Sequence, residues 1–205
     1  LLAQKKAGDE VDIIGPLGNG FSVGSRAGIR RANSEGQGTR VEVLVAGGIG
    51  VAPMVALAEK IAASGKGQGA RKKQRTIVLI GARTKSHVVC AGDFKKLGAK
   101  VVVTTDDGSL GTKGFVTEPL KKALAAAGNG ITAVYACGPT PMLKVVAALA
   151  REHHVPCQVS LEEHMACGVG VCLGCPVKVR KDLVETEYKM VCKDGPVFDA
   201  EQVVW

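Results

Sequence analysis

From residue 41 to residue 161 the chain alternates between two hydrophobic rhythms. VEVLVAGGIG (41–50), TIVLIGAR (76–83), KVVVTTDDG (100–108), ITAVYACGP (131–139) and VPCQVSLEE (155–163) are short apolar runs rich in Val and Ile. Bounded as they are by glycine, proline or acidic residues, they read as buried strands. Helical patterns lie between them. The first has Pro53 early and apolar residues at Val55, Ala58, Ile61 and Ala62; the last has Met142, Val145, Val146 and Leu149. AGDFKKLG is a short helix, and FVTEPLKKALAAAG is a longer one with Thr117 as a candidate N-cap. Strand and helix in strict alternation predict an α/β fold, a doubly wound parallel sheet of five strands.

The flanks follow other rules. GDEVDIIGPLGNGFSVG alternates at Val11 and Ile13, with Leu17 in phase, then enters a Gly/Pro cluster, so it reads as one strand ending in a tight loop. One strand makes no sheet, and the chain opens on Leu1, so this strand is expected to close a domain that lies upstream. Residues 26–40 are polar and glycine-bearing, as a linker would be. Residues 162–205 break the alternation and form a small cysteine-bearing module with strands in CPVKV and EYKMVC. The expected division is therefore 1–40, 41–161 and 162–205.

Composition excludes some classes. No apolar run reaches the roughly 18–20 residues of a membrane span, and there is no signal-peptide pattern, so a cytoplasmic protein is expected. The net charge is +8, with the basic stretch 63–75 between helix and strand. With only one Trp, two Tyr and four Phe there is no stacking platform beside it. That stretch reads as a solvated loop, and no nucleic-acid partner is expected.

Seven cysteines are present, three of them inside CGVGVCLGC at 167–175. An odd number in a cytosolic chain of this size argues against disulfides. Zinc favours two C-x2-C pairs or histidine partners, and only Cys172 and Cys175 have that spacing. Cys167, Cys172, Cys175 and Cys192 make C-x4-C-x2-C-x16-C, the plant-type spacing of a [2Fe–2S] site. Gly168, Gly170 and Gly174 are expected to take positive φ, so that the loop wraps closely and its amides face the sulfurs. Pro176 removes one such amide. His164 reads as a surface residue or one behind the ligands, and Cys90 and Cys157 as small buried hydrophobes.

AGGIGVAP (46–53) joins a strand to a helix, the context of a phosphate-binding turn. A purely structural tight turn is the alternative. YACGPTPML puts Cys137, Gly138 and Pro139 at the carboxyl edge of the sheet, where open α/β folds bind ligands. TDDGSLGTKG (105–114) reaches the same edge. There Asp106 and Asp107 either contact a ribose or favour the turn. Arg83 and Lys85, after the second strand, are placed to pair with a 2′-phosphate.

GPLGNGF, GGIGVAP and CGPTPM, in this order and on these elements, resemble the ferredoxin–NADP reductase superfamily. Within it, SLEEHMACGVGVCLGCPVKV…CKDGPVF resembles the electron-transfer subunits of dihydroorotate dehydrogenase B. The resemblance covers nearly the whole chain and implies a [2Fe–2S] cluster, FAD and NAD. It implies Cys167, Cys172, Cys175 and Cys192 as cluster ligands and Gly47, Gly48, Gly50, Ala52 and Pro53 facing the dinucleotide phosphates. It implies Cys137, Gly138 and Pro139 beside the nicotinamide, with Asp106 as a further cofactor contact and no acid–base catalytic side chain. The implied activity passes electrons from the FMN of a partner dihydroorotate dehydrogenase catalytic subunit, through the cluster and FAD, to NAD⁺. The implied assembly is a heterotetramer. Members of the family begin with a flavin-binding β-barrel. Only the last barrel strand has a counterpart here, so the FAD site is expected to lie mostly outside this chain and the chain alone to be inactive. Two other readings stand beside this one. One is the small subunit of an NADH-dependent ferredoxin:NADP oxidoreductase, a group that carries an aspartate where Cys167 stands. The other is a flavin-free [2Fe–2S] redox adaptor.

Overall fold

The structure, a computed structural model, describes residues 2–23, 40–65, 74–127 and 130–205. The linker reading of 26–40 and most of the basic stretch 63–75 fall outside those residues.

The alternation becomes a sheet flanked by helices. Strands β1 (Arg40–Gly47), β2 (Gln74–Ala82), β3 (Lys100–Thr105), β5 (Ile131–Cys137) and β6 (Cys157–Ser160) are all parallel, in the order β3-β2-β1-β5-β6. Helices α1 (Val51–Gly65), α2 (Ala91–Lys96), α3 (Thr117–Ala127) and α4 (Thr140–Glu152) supply the connections. The pleat divides the core in two. Leu44, Ala46, Val78, Ile80 and Tyr135 pack with Val51, Met54, Leu57 and Ile61 of α1 and Phe94 of α2. Val43, Val45, Leu79, Val134 and Ala136 face the other way, onto Leu120 and Leu124 of α3 and Leu143 and Val146 of α4. Alternate residues of each strand are buried on opposite faces, which is why these strands read as continuous apolar runs.

Several expectations change. The sheet gains two short edge strands, making seven: the two-residue parallel β4 (Thr112–Lys113) and the antiparallel β9 (Val197–Asp199) beside β6. Thr117 is the first residue of α3 rather than its cap. Cys157 is buried as expected, but Cys90 is only half-buried and adopts φ 60 ahead of α2. The strand expected around Val11 and Ile13 does not form: residues 5–18 are irregular, and both side chains are exposed. A strand needs a neighbour to take its amides and carbonyls, and among the described residues only Asn19 bridges, to Pro196.

The end of that segment is nevertheless tied down. Gln158 accepts from the Ser22 amide at 3.0 Å and donates to the Ser22 carbonyl at 3.0 Å. The Phe21 ring meets Tyr135 edge-on, with centroids 5.8 Å apart. Asn19 Nδ2 donates to the Asp194 carbonyl at 3.0 Å. Past β6 the chain forms the cysteine loop, then the hairpin β7 (Pro176–Arg180) and β8 (Thr186–Met190), then a four-residue helix α5 (Val191–Asp194). Cys175, Val179, Val191 and Cys192 join the same apolar cluster as α3 and α4.

Candidate functional site

The carboxyl ends of β1, β2, β3 and β5 open into a cleft of about 990 Å³. Of the residues singled out from sequence, Gly47, Gly48, Asp106 and Pro139 line it, as does Arg83. Gly48, at φ 56 with nothing within 4 Å of an added Cβ, offers an open backbone surface to a ligand. Gly50 does something else. It is buried beneath the turn, where a Cβ would collide with the Cys137 carbonyl and lie 2.9 Å from the Gly138 amide. The two glycine turns are therefore packed on each other, and the structural-turn reading applies to Gly50. Ala52 and Pro53 sit exposed in the first turn of α1, outside the cleft lining.

Cys137 lies under the cleft, buried at the end of β5 and paired in register with Ser160. Burial pushes its thiol above the ordinary range; the Ser160 hydrogen bond opposes this, and the Glu162 carboxylate adds to it. The acidic pair divides its roles. Asp107 accepts from Ser109 Oγ at 2.6 Å and from the Ser109 amide at 2.9 Å, and these bonds hold its carboxyl below the usual range. Asp107 thus shapes the turn, and Asp106 is the one at the cleft wall. Ser109 Oγ also accepts from the Lys85 amide at 2.7 Å, joining the loops after β2 and β3. Sequence reasoning missed Phe115, His87, Met142 and Glu162, all of them cleft residues. They come from four separate segments, and only the packed sheet brings them together. An exposed aromatic two residues before a helix, as Phe115 is, was the one local signal.

The cysteine loop is built the other way, with little packing and many donors. The amides of Val169, Val171 and Cys172 each donate to Cys167 Sγ at 3.4 Å. These bonds, the Cys172 amide foremost, and the Cys172 thiol lower the Cys167 thiol to about 6. Cys175 is buried where β7 begins, and its sulfur accepts from the Cys192 amide at 3.5 Å. The Cys192 thiol is raised, first by its hydrogen bond with Cys175 and then by burial, while the Gly170 amide donates to it and opposes the shift. Cys192 stands on α5, not on the strand before it. Among the described residues no three His, Cys, Asp or Glu side chains close on a point that would hold a single metal ion. Backbone hydrogen bonds join the four cysteines in two pairs, Cys167 with Cys172 through the Cys172 amide at 3.4 Å and Cys175 with Cys192 through the Cys192 amide at 3.5 Å. Two sulfur pairs with amides aimed at them fit a two-iron cluster. His164 is exposed. Gly168 and Gly170 take positive φ, but Gly174 does not; Leu173 takes it instead, at φ 58.

Comparisons with known proteins match these two regions separately. A model of the oxidoreductase NAD-binding domain matches residues 44–148, and one of the iron–sulfur cluster binding domain of dihydroorotate dehydrogenase B matches residues 162–204. The chain is 41% identical over 204 residues to the dihydroorotate dehydrogenase B (NAD(+)) electron transfer subunit of Caldanaerobacter subterraneus subsp. tengcongensis. It is 41% identical over 205 residues to that of Desulforamulus reducens. Both alignments cover all of this chain and 70% of the relative. Among solved structures, that of an NADH-dependent reduced ferredoxin-NADP oxidoreductase superposes with TM-score 0.74 at 33% identity, over all of this chain and 64% of the other. No helix among the described residues is long and apolar enough to cross a membrane.

Proposed function

Because this chain belongs to the family of dihydroorotate dehydrogenase B (NAD(+)) electron transfer subunits, we propose that it takes electrons from the FMN of a dihydroorotate-oxidising catalytic subunit and passes them, by way of a [2Fe–2S] cluster and FAD, to NAD⁺. The cluster and the flavin supply one-electron relay and hydride chemistry when bound. The chain's own residues hold and orient. Cys167 and Cys172 would hold one iron, and Cys175 and Cys192 the other. Gly47, Gly48 and Gly50 form the turn toward the dinucleotide phosphates, with Gly50 setting its packing and Ala52 and Pro53 in the first turn of the helix that follows. Asp106 faces the ribose, and Cys137, Gly138 and Pro139 shape the floor beside the nicotinamide. FAD would be held mostly by residues outside this chain, so these residues alone would not complete the reaction. The units are 1–40, 41–161 and 162–205, and the assembly is a heterotetramer of two subunits of each kind. Met165, Val169, Val171 and Leu173 are exposed on the cysteine loop, and one or two of them would meet the partner.

The observation that carries this reading is the convergence of three loop amides on Cys167 Sγ beside a Cys192 amide that donates to Cys175 Sγ, four cysteines at C-x4-C-x2-C-x16-C spacing. Its test is spectroscopic. The reduced protein should give a rhombic [2Fe–2S] EPR signal that Cys192→Ser destroys or shifts and Cys157→Ser leaves intact; equal loss from both would sink the ligand assignment. Expression with its genomic neighbours should yield a complex with the FMN-bearing subunit. Elution alone, with NAD⁺ reduction and no dihydroorotate-oxidising partner, would leave only an iron–sulfur reductase. The likeness to the ferredoxin-NADP oxidoreductase structure supports a second reading, as the small subunit of such an enzyme. Clearly tighter binding of NADP(H) than of NAD(H) would favour it.

A further inference from the structure

Lys193 follows Cys192 on α5, and its aliphatic stem lies against the cysteine loop. A Cβ built on Gly170 would stand 2.7 Å from Lys193 Cδ and 2.9 Å from its Cβ. Gly170 is therefore packed against the lysine stem, and its φ of 82 lies in the left-handed region that favours glycine. Lys193 forms no ion pair among the described residues, where the three salt bridges join other side chains. A cation whose stem is packed but whose charge is unmatched stands beside a group that becomes more negative on reduction. A [2Fe–2S] core with four thiolates is a dianion when oxidised and gains one further negative charge when it accepts an electron.

We propose that Lys193 tunes the reduction potential of the cluster, its ammonium stabilising the reduced form more than the oxidised one. The charge acts through space, and the stem over Gly170 fixes where the charge is held. The proposal rests on the reading that Cys192 is a ligand. Lys193 is solvent-exposed, so salt will weaken its effect, because screening acts within about 10 Å at 0.1 M.

The test is a redox titration of the cluster-loaded protein followed by EPR, on Lys193→Met and Lys193→Arg. Methionine keeps an unbranched stem over Gly170 and removes the charge; arginine keeps both. The expected result is a lower midpoint potential for K193M and a value near wild type for K193R, with the EPR line shape unchanged. The gap between K193M and wild type should narrow in high salt. A K193M midpoint equal to wild type at low salt would overturn the proposal. So would cluster loss in both variants, since Lys193 would then act only as a support for the loop. If K193M alone loses the cluster, Lys193→Gln replaces it under the same criteria, and cluster loss there too overturns the proposal. The Cys192→Ser experiment fails or succeeds independently of this shift, so the two ideas fall separately.

Discussion

Cys137 and Cys167 are the same residue in opposite surroundings. Cys137 is held at the end of a fully packed strand, where burial raises its thiol. Cys167 lies in a loop without regular structure, where three amides and a neighbouring thiol lower its own to about 6. The difference shows how one chain makes a thiol held protonated and a thiol poised as thiolate. The sheet excludes water and offers one hydroxyl, that of Ser160, whereas the loop supplies several amides and leaves the sulfur open. What separates the two thiols is the backbone around each, and the spacing of 167, 172 and 175 is the sequence trace of the loop backbone.

Thiol reactivity tests this contrast most severely, and the expected effect is the largest of those considered. A thiol lowered to about 6 is nearly all thiolate at pH 7, whereas one raised above the ordinary range of about 8.5 is at most a few per cent thiolate there. In the cluster-free protein, alkylation of Cys167 by iodoacetamide should outpace that of Cys137 by about a hundredfold at pH 7. Its rate should rise through pH 6 and then level, while Cys137 stays slow past pH 9. Peptide mass spectrometry reads both sites in one sample. Comparable rates at pH 7 would remove the distinction.

The glycines sharpen the comparison at a smaller scale. At Gly50 the constraint is space, since a Cβ would strike the Cys137 carbonyl. Gly50→Ala should therefore cost about 1–3 kcal/mol, as overpacking does, and should weaken nucleotide binding by parting the two turns. At Gly168 the constraint is φ alone: it sits at 72, and nothing lies within 4 Å of an added Cβ. Gly168→Ala should cost only about 1 kcal/mol, the steric penalty of the left-handed region. Denaturant melts of the two variants give the ranking, and a reversed order would mean that the loop, not the sheet edge, is the tightly packed site.

The two regions also differ in how legible they were. The five parallel strands were readable because each packs against helices on both faces, and that packing leaves a continuous apolar run such as Val43 to Ala46. The cysteine loop was readable because Cys167, Cys172 and Cys175 are local, so spacing alone brings their loop together. Strand β4 spans two residues and β9 three, too short for any period to show. Val11 and Ile13 had the right alternation, but a strand is a property of a pair, and periodicity in one segment says nothing about its neighbour. The cleft was half legible. Gly48 and Asp106 sit in turns with their own signature, whereas Glu162 and His87 are 75 positions apart and meet the same cleft only through the sheet. Gly174 misled because glycine permits positive φ without requiring it.

Leu173 is where that expectation failed, and it gives the smallest and most diagnostic test. A leucine at φ 58 is unusual, because its Cβ crowds the backbone. Its side chain is two-thirds exposed, so packing in this chain does not explain the cost. Held strain of this kind persists where a site needs the conformation. Leu173 stands between Cys172 and Cys175, so the left-handed turn sets the relative direction of one member of each sulfur pair, as the proposed cluster would need. Leu173→Gly keeps the turn and removes the strain, and should stabilise the cluster-free protein by about 1 kcal/mol in a denaturant melt. The same variant should lose its cluster faster in air, because leucine shields the iron from water where glycine does not. Stabilisation with unchanged cluster lifetime would assign Leu173 to the partner face instead. Destabilisation of the cluster-free protein would show that the side chain packs on the loop, and that the cysteine loop is closer in kind to the sheet edge than its exposure suggests.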